Sequence, residues 1–249
     1  MSIFMTLLRR ELAAFFYSLN GYLIIAAVTL LIGESFSTVI TNLGTDASPM
    51  PVTELFYNTY YFWMIILLAA PVMTMRLFAL EKSSGTFETL MTTQIGDVAV
   101  VLAKFCGAMI FYLVAWLPLL LCLFIVGHFA RQHVGLDAGT VGGMFLGIFL
   151  IGCLFVSLGC FASALTSSQM AAAMVSFVLG MSLFSLAFLA KALPPNSDLT
   201  QIIPYFNLFD QMDSFARGVV DTRVVVFYVS ASFFFLFLTV RVVEGRRWK

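Results

Sequence analysis

Charge is what this sequence has least of. Asp, Glu, Lys and Arg together make up 10% of its 249 residues, against about a quarter in ordinary soluble domains, and this excludes a soluble globular fold. The two signs balance at 13 residues each, so the total charge offers nothing to nucleic acid and only its distribution is informative. Cysteine is scarce too. Cys106, Cys122, Cys153 and Cys160 sit in apolar stretches without a C-x-x-C pair, where thiols act as small hydrophobes. His128 and His133 lack a zinc-site spacing, and the 13 Met residues are scattered as packing residues are. The chain contains no phosphate loop, no H-E-x-x-H and no G-x-S-x-G. It also lacks a pair of Asp residues in facing spans. No catalytic residue, cofactor site or metal site is therefore expected in this chain, and it is not expected to be an enzyme.

Hydrophobicity is what remains. Apolar residues make up 61% of the chain and the mean hydropathy is +1.00, which reads as an all-α integral membrane protein, a single transmembrane domain over 1–249. Six stretches approach the roughly 20 residues that cross a bilayer: about 19–40, 56–75, 98–126, 141–165, 169–190 and 224–243. Five spans is the alternative count. Pro118 falls inside the long third stretch and removes one helical hydrogen bond there. Ahead of the spans, Phe4, Leu7, Leu8, Leu12, Phe15 and Phe16 share one helical face, with Arg9, Arg10 and Glu11 elsewhere. That pattern predicts an interfacial amphipathic helix over 1–18. A signal peptide is the rival, but the following run is long enough to span and no cleavage site is well placed.

Basic residues sort to one side of this topology. Arg9, Arg10, Arg76, Lys82, Lys104, Arg241, Arg246, Arg247 and Lys249 share a side, whereas Arg131, Lys191, Arg217 and Arg223 share the other. The richer side should be cytosolic, with both termini inside. Acids collect on the outer side, at Asp46, Glu54, Asp137, Asp198, Asp210, Asp213 and Asp221.

The stretch from Arg76 to Lys104 is a charged island between two apolar runs. Gly85 permits a backbone reversal, Thr86 can cap a helix with Glu88 in its first turn, and Phe87, Leu90 and Met91 follow at i, i+3 and i+4. Asp97 is placed to cap the next helix. By residue chemistry alone this fits a solvated loop as well as a docking helix.

Pro71, Arg76, Glu81, Lys82, Ser84-Gly85-Thr86, Glu88, Leu90, Ile95 and Lys104 resemble the loop between spans two and three of type-2 ATP-binding-cassette (ABC) exporter permeases. The gliding-motility and nitrous-oxide-reductase-maturation branch is the nearest match. That family usually has Pro where this chain has Gln94, which leaves the downstream turn less rigid. The resemblance implies a coupling helix contacting a cytosolic ATPase, with Arg76, Glu81, Gly85, Thr86, Phe87, Glu88, Leu90 and Met91 as ATPase-coupling residues. Arg9, Arg10 and Glu11 of the surface helix would form a second, N-terminal interface. ATP and Mg would then bind the partner subunit. The other partners implied are a second permease copy or paralogue and the lipid bilayer of a bacterial inner membrane.

Gly143 and Gly147 form a G-x-x-x-G pair, and Ala172, Ser176 and Gly180 continue small-residue spacing on the next span; packing within the subunit and a dimer seam both fit. The stretch Ser157–Gln169 resembles the family's short inner connection. After Pro194-Pro195, the run 204–217 places Leu208, Met212 and Phe215 on one face, with Asp213 and Arg217 spaced as an ion pair. An interfacial or re-entrant outer helix is expected there, stopping at Gly218, and the C-terminal Arg246, Arg247 and Trp248 suit an interfacial anchor.

Glu34 is the one acid well inside a span, where a charge costs on the order of 3 kcal/mol. It either lines a substrate path or gate with Ser35 and Thr38, joined by Asp213 and Arg217 at the outer mouth, or pairs with an outer cation such as Arg217 or Arg223. The leading expectation is a permease subunit coupling ATP hydrolysis elsewhere to export. The alternatives are an ATP-independent secondary transporter or channel, which needs buried ion-coupling residues or repeats, and a membrane scaffold of a motility or maturation complex.

Overall fold

A computed structural model describes residues 3–45, 52–86, 96–129, 138–192 and 207–247. Among them the chain is helical without strands: α1 (Ile3–Phe16), α2 (Leu19–Thr45), α3 (Val52–Asn58), α4 (Tyr60–Thr74), α5 (Ala79–Ser83), α6 (Asp97–Phe129), α7 (Ala138–Leu165), α8 (Gln169–Ala192), α9 (Leu208–Ala216) and α10 (Thr222–Arg247). Six of these, with α4 and α5 counted as one run, are long and apolar enough to cross a membrane.

The bundle is built around α7, whose apolar window is 72% buried against 17% for α10 and 22% for α8. Glycine explains how neighbours come so close. A Cβ on Gly159 would lie 2.0 Å from Thr74 Oγ1, and one on Gly152 would lie 2.3 Å from the Tyr112 ring, so α4 and α6 approach α7 where it has no side chain. The Gly143/Gly147 pair is filled from within the chain as well: a Cβ there would meet the Phe215 carbonyl oxygen at 2.7 Å and the Tyr57 hydroxyl at 3.1 Å. Gly180 faces the Phe155 ring. The small-residue spacing thus serves packing inside this subunit.

One expected span divides. The apolar run 56–75 contains the end of α3, a break at the extended Thr59, and α4. The Thr59 hydroxyl pairs with Ser35 at 2.8 Å, so two polar side chains meet in the interior and fix the corner. Beyond it, Trp63 donates to the Tyr57 carbonyl at 3.0 Å and packs on Phe209 and Phe184.

The end holding α3 and α9 is closed by polar contacts. Asn207 caps α9 by accepting from the Phe209 amide, Thr53 donates to the Ala216 carbonyl at 2.7 Å, and Tyr57 donates to the Met144 carbonyl at 2.7 Å. Burial, reinforced by the Tyr112 and Tyr228 phenols, holds Tyr57 well above the ordinary tyrosine range, so its hydroxyl remains a donor. Gly218 ends α9 with φ +78°, as the run 204–217 leads one to expect, although α9 itself starts only at Leu208. Asp46, Arg131, His133, Asp137 and Asp198, all expected in outer loops, lie outside the described residues, as do the Pro194-Pro195 pair and Trp248.

Candidate functional site at the basic end of the bundle

Helix α1 lies on α6 rather than standing apart from the spans. Phe15 stacks on Phe111 with ring centroids 4.7 Å apart, while Leu7 packs with Val100 and Ala103. A Cβ on Gly107 would stand 3.0 Å from Glu11 Cβ, so this glycine lets the two helices close. The apolar face read from the sequence is therefore seated, and it carries Glu11 inward with it.

Lys104 is the centre of what forms there. Its side chain is 2% exposed, and its ammonium donates to Glu11 Oε1 at 3.0 Å and to Glu81 Oε1 at 2.9 Å. Arg10 closes the group, donating from Nη2 to the same two oxygens at 3.1 and 3.0 Å, and the Phe78 ring lies 5.4 Å from the Lys104 nitrogen. Two carboxylates and two cations neutralise one another, as burial of charge demands. One acceptor stays unmatched: Glu81 Oε2 is buried without a hydrogen-bond partner.

A second set of contacts fastens the same turn to α7. The Ser163 hydroxyl accepts from the Phe78 and Ala79 amides at 3.0 and 3.1 Å and donates to the Met75 carbonyl at 3.2 Å. Lys82 donates to the Ala164 carbonyl. Past α5 the chain reverses at Gly85, φ +73°, with Ser84 and Thr86 hydroxyls 2.9 Å apart. The turn 75–86 is thus held by α1, α6 and α7 together.

The expected coupling and N-terminal interface residues fall in different places. Glu11, Arg10 and Glu81 are gathered into the ion-pair hub; Gly85 and Thr86 are exposed at the tip of the turn; Phe87, Glu88, Leu90 and Met91 lie outside the described residues. Arg76 lines a cavity of about 240 Å³ beside the hub, and Arg9 is exposed on α1. Sequence reasoning did not assign the hub role of Lys104 or the clamp role of Ser163. For Lys104 the signal was present as a lone Lys near the start of an apolar run; Ser163 is one of several hydroxyl residues between Ser157 and Ser168 and carries no distinguishing signal.

At the opposite end, Arg217 bridges Glu54 at 3.0 Å and Asp213 at 2.9 Å. The expected Asp213–Arg217 pair is formed, with buried Glu54 as a further partner. Glu34 does not join them. It lies on the exposed face of α2 with Thr29, Gly33 and Ser37, and it makes no ion pair among the described residues.

No curated protein matches this chain. The family model described as ABC-2 family transporter protein matches residues 34–242, a stretch that takes in four of the six long spans entire, the C-terminal part of α2, all but the last turn of α10, and the turn held by Lys104. The chain therefore belongs to the ABC-2 transporter family, as a membrane permease component of an ABC transporter.

Proposed function

We propose that this permease exports its substrate with energy from a separate cytosolic ATPase, and that the basic end of the bundle is the cytosolic end where that ATPase docks. The observation that carries this reading is the Lys104 hub, because one buried ammonium joins the surface helix α1, the turn before the Phe87–Met91 segment, and the spanning helix α6. A push delivered at the turn or at α1 reaches a membrane helix without passing through a flexible joint. ATP-driven closure of the ATPase would then shift the spans as bodies between two states.

Within this reading the exposed Gly85–Thr86 tip and the residues Phe87, Glu88, Leu90 and Met91 contact the ATPase, with Arg9 contributing from α1. Glu81, Glu11 and Arg10 hold those contacts in position. Arg76 lies at the headgroup level beside them. A second permease copy or paralogue covers the open face of α2, where Glu34 and its polar neighbours line the path. The Glu54–Arg217–Asp213 latch gates the outer mouth. ATP and Mg stay on the partner subunit.

Co-purification in detergent with the candidate ATPase tests the docking. Replacing Phe87 and Glu88 by Ala is expected to abolish the complex while the permease stays monodisperse. A complex of undiminished yield would remove the turn from the docking surface.

A further inference from the structure

We infer that the space between α1–α2 and α4 is a binding site for one phospholipid of net negative charge, with its phosphate at Arg76 and an acyl chain along α2. Two cavities carry this. The first, about 240 Å³, is lined by Arg10, Arg76 and the hub, over a floor that includes Ala14, Phe15 and Leu77. The second, about 200 Å³, is a purely apolar groove between α2 and α4, walled by residues such as Leu23, Ala27, Leu31, Leu68 and Val72.

They are parts of one track. Leu68, Val72, Arg76 and Leu80 follow one another at intervals of four residues, the first two in the groove and the last two in the basic cavity. Leu68, Val72 and Leu80 are 44%, 37% and 37% exposed, so the chain itself leaves this ladder uncovered. From Ile65 to the end of α4 at Thr74 the helical rise is about 14 Å, close to half of the roughly 30 Å hydrocarbon layer, and Arg76 follows in the turn. The track therefore has the length of one leaflet, apolar along the helices and cationic at its end.

Charge selects the headgroup. Arg10, Arg76 and Lys104 face Glu11 and Glu81 around the cavity, an excess of one positive charge. Arg10 and Lys104 are committed to the carboxylates, whereas Arg76 has no ion pair or side-chain hydrogen bond among the described residues. A guanidinium with free donors at the membrane boundary matches a phosphodiester bearing one negative charge. This site does not depend on the transport reading, since it needs only a chain that spans a bilayer.

Native mass spectrometry of the delipidated protein, titrated with phosphatidylglycerol or with phosphatidylcholine of the same acyl chains, tests the site. One phosphatidylglycerol should bind in preference to phosphatidylcholine. Arg76→Gln should weaken it roughly tenfold without lowering the denaturation temperature, and Ala27→Trp, which fills the groove, should weaken both lipids. Inorganic phosphate should not compete; competition would mean an anion site without a lipid and would overturn the proposal. Equal binding of the two lipids would also overturn it. So would Arg76→Gln binding phosphatidylglycerol as the wild type does while losing the ATPase in co-purification, which would make Arg76 a protein contact.

Discussion

Lys104 shows how much one residue can hold in an apolar protein. Its ammonium is almost wholly buried, and removing it leaves Glu11 and Glu81 to share Arg10 alone. Breaking a buried pair from one side costs about 3–5 kcal/mol, so Lys104→Met should lower the denaturation temperature in detergent sharply. Adding Glu81→Gln should recover part of the loss, because a neutral amide no longer needs the cation; strictly additive losses would show that the two side chains do not interact. Arg217 offers the contrast. Its side chain is 56% exposed, solvent screens its pairs, and Arg217→Gln should cost less than Lys104→Met. An equal or larger loss would contradict the ranking. These roles were hard to read in advance. Glu11 and Glu81 stand 93 and 23 positions from Lys104, so the sequence places all three at one end of the spans without saying that they meet. Conversely, Asp213 and Arg217 were legible because an i, i+4 pair depends only on a local helix.

At the scale of elements, the long helices were legible from hydropathy and the amphipathic α1 from its period, whereas the division of 56–75 into α3 and α4 was not. Phe56–Met75 reads as one apolar run, and its corner depends on Ser35, on another helix, meeting Thr59. The role of the glycines in α7 was likewise hidden, since spacing alone fits an internal or an intersubunit contact. The structure separates them by position. Gly159→Ala should destabilise the protein, because its Cβ would overlap Thr74 and well-packed cores lose about 1–3 kcal/mol when overfilled. Gly142→Ala meets nothing within 4 Å and should be neutral or stabilising by up to about 1 kcal/mol. Thermal denaturation of the two variants side by side checks both expectations, and reversal of their order would refute the packing assigned to α7.

For the whole molecule, the central claim is mechanical: α1, the turn 75–86 and α6 move as one body, joined at Lys104. The family and the orientation of charge were visible in the sequence, but rigidity is a property of contacts between distant segments and could be read only from the fold. Pulsed electron paramagnetic resonance measures it most directly. Spin labels at Tyr17 on the chain leaving α1 and at Val98 on α6, both exposed, would report their separation in the reconstituted complex with its ATPase, labelled chains being diluted into unlabelled ones. A single separation, the same without nucleotide and with ATP bound, and broadened in Lys104→Met, is expected. A separation that changes on ATP binding in the otherwise wild-type protein would contradict the claim, because α1 would then be moving against α6 instead of with it.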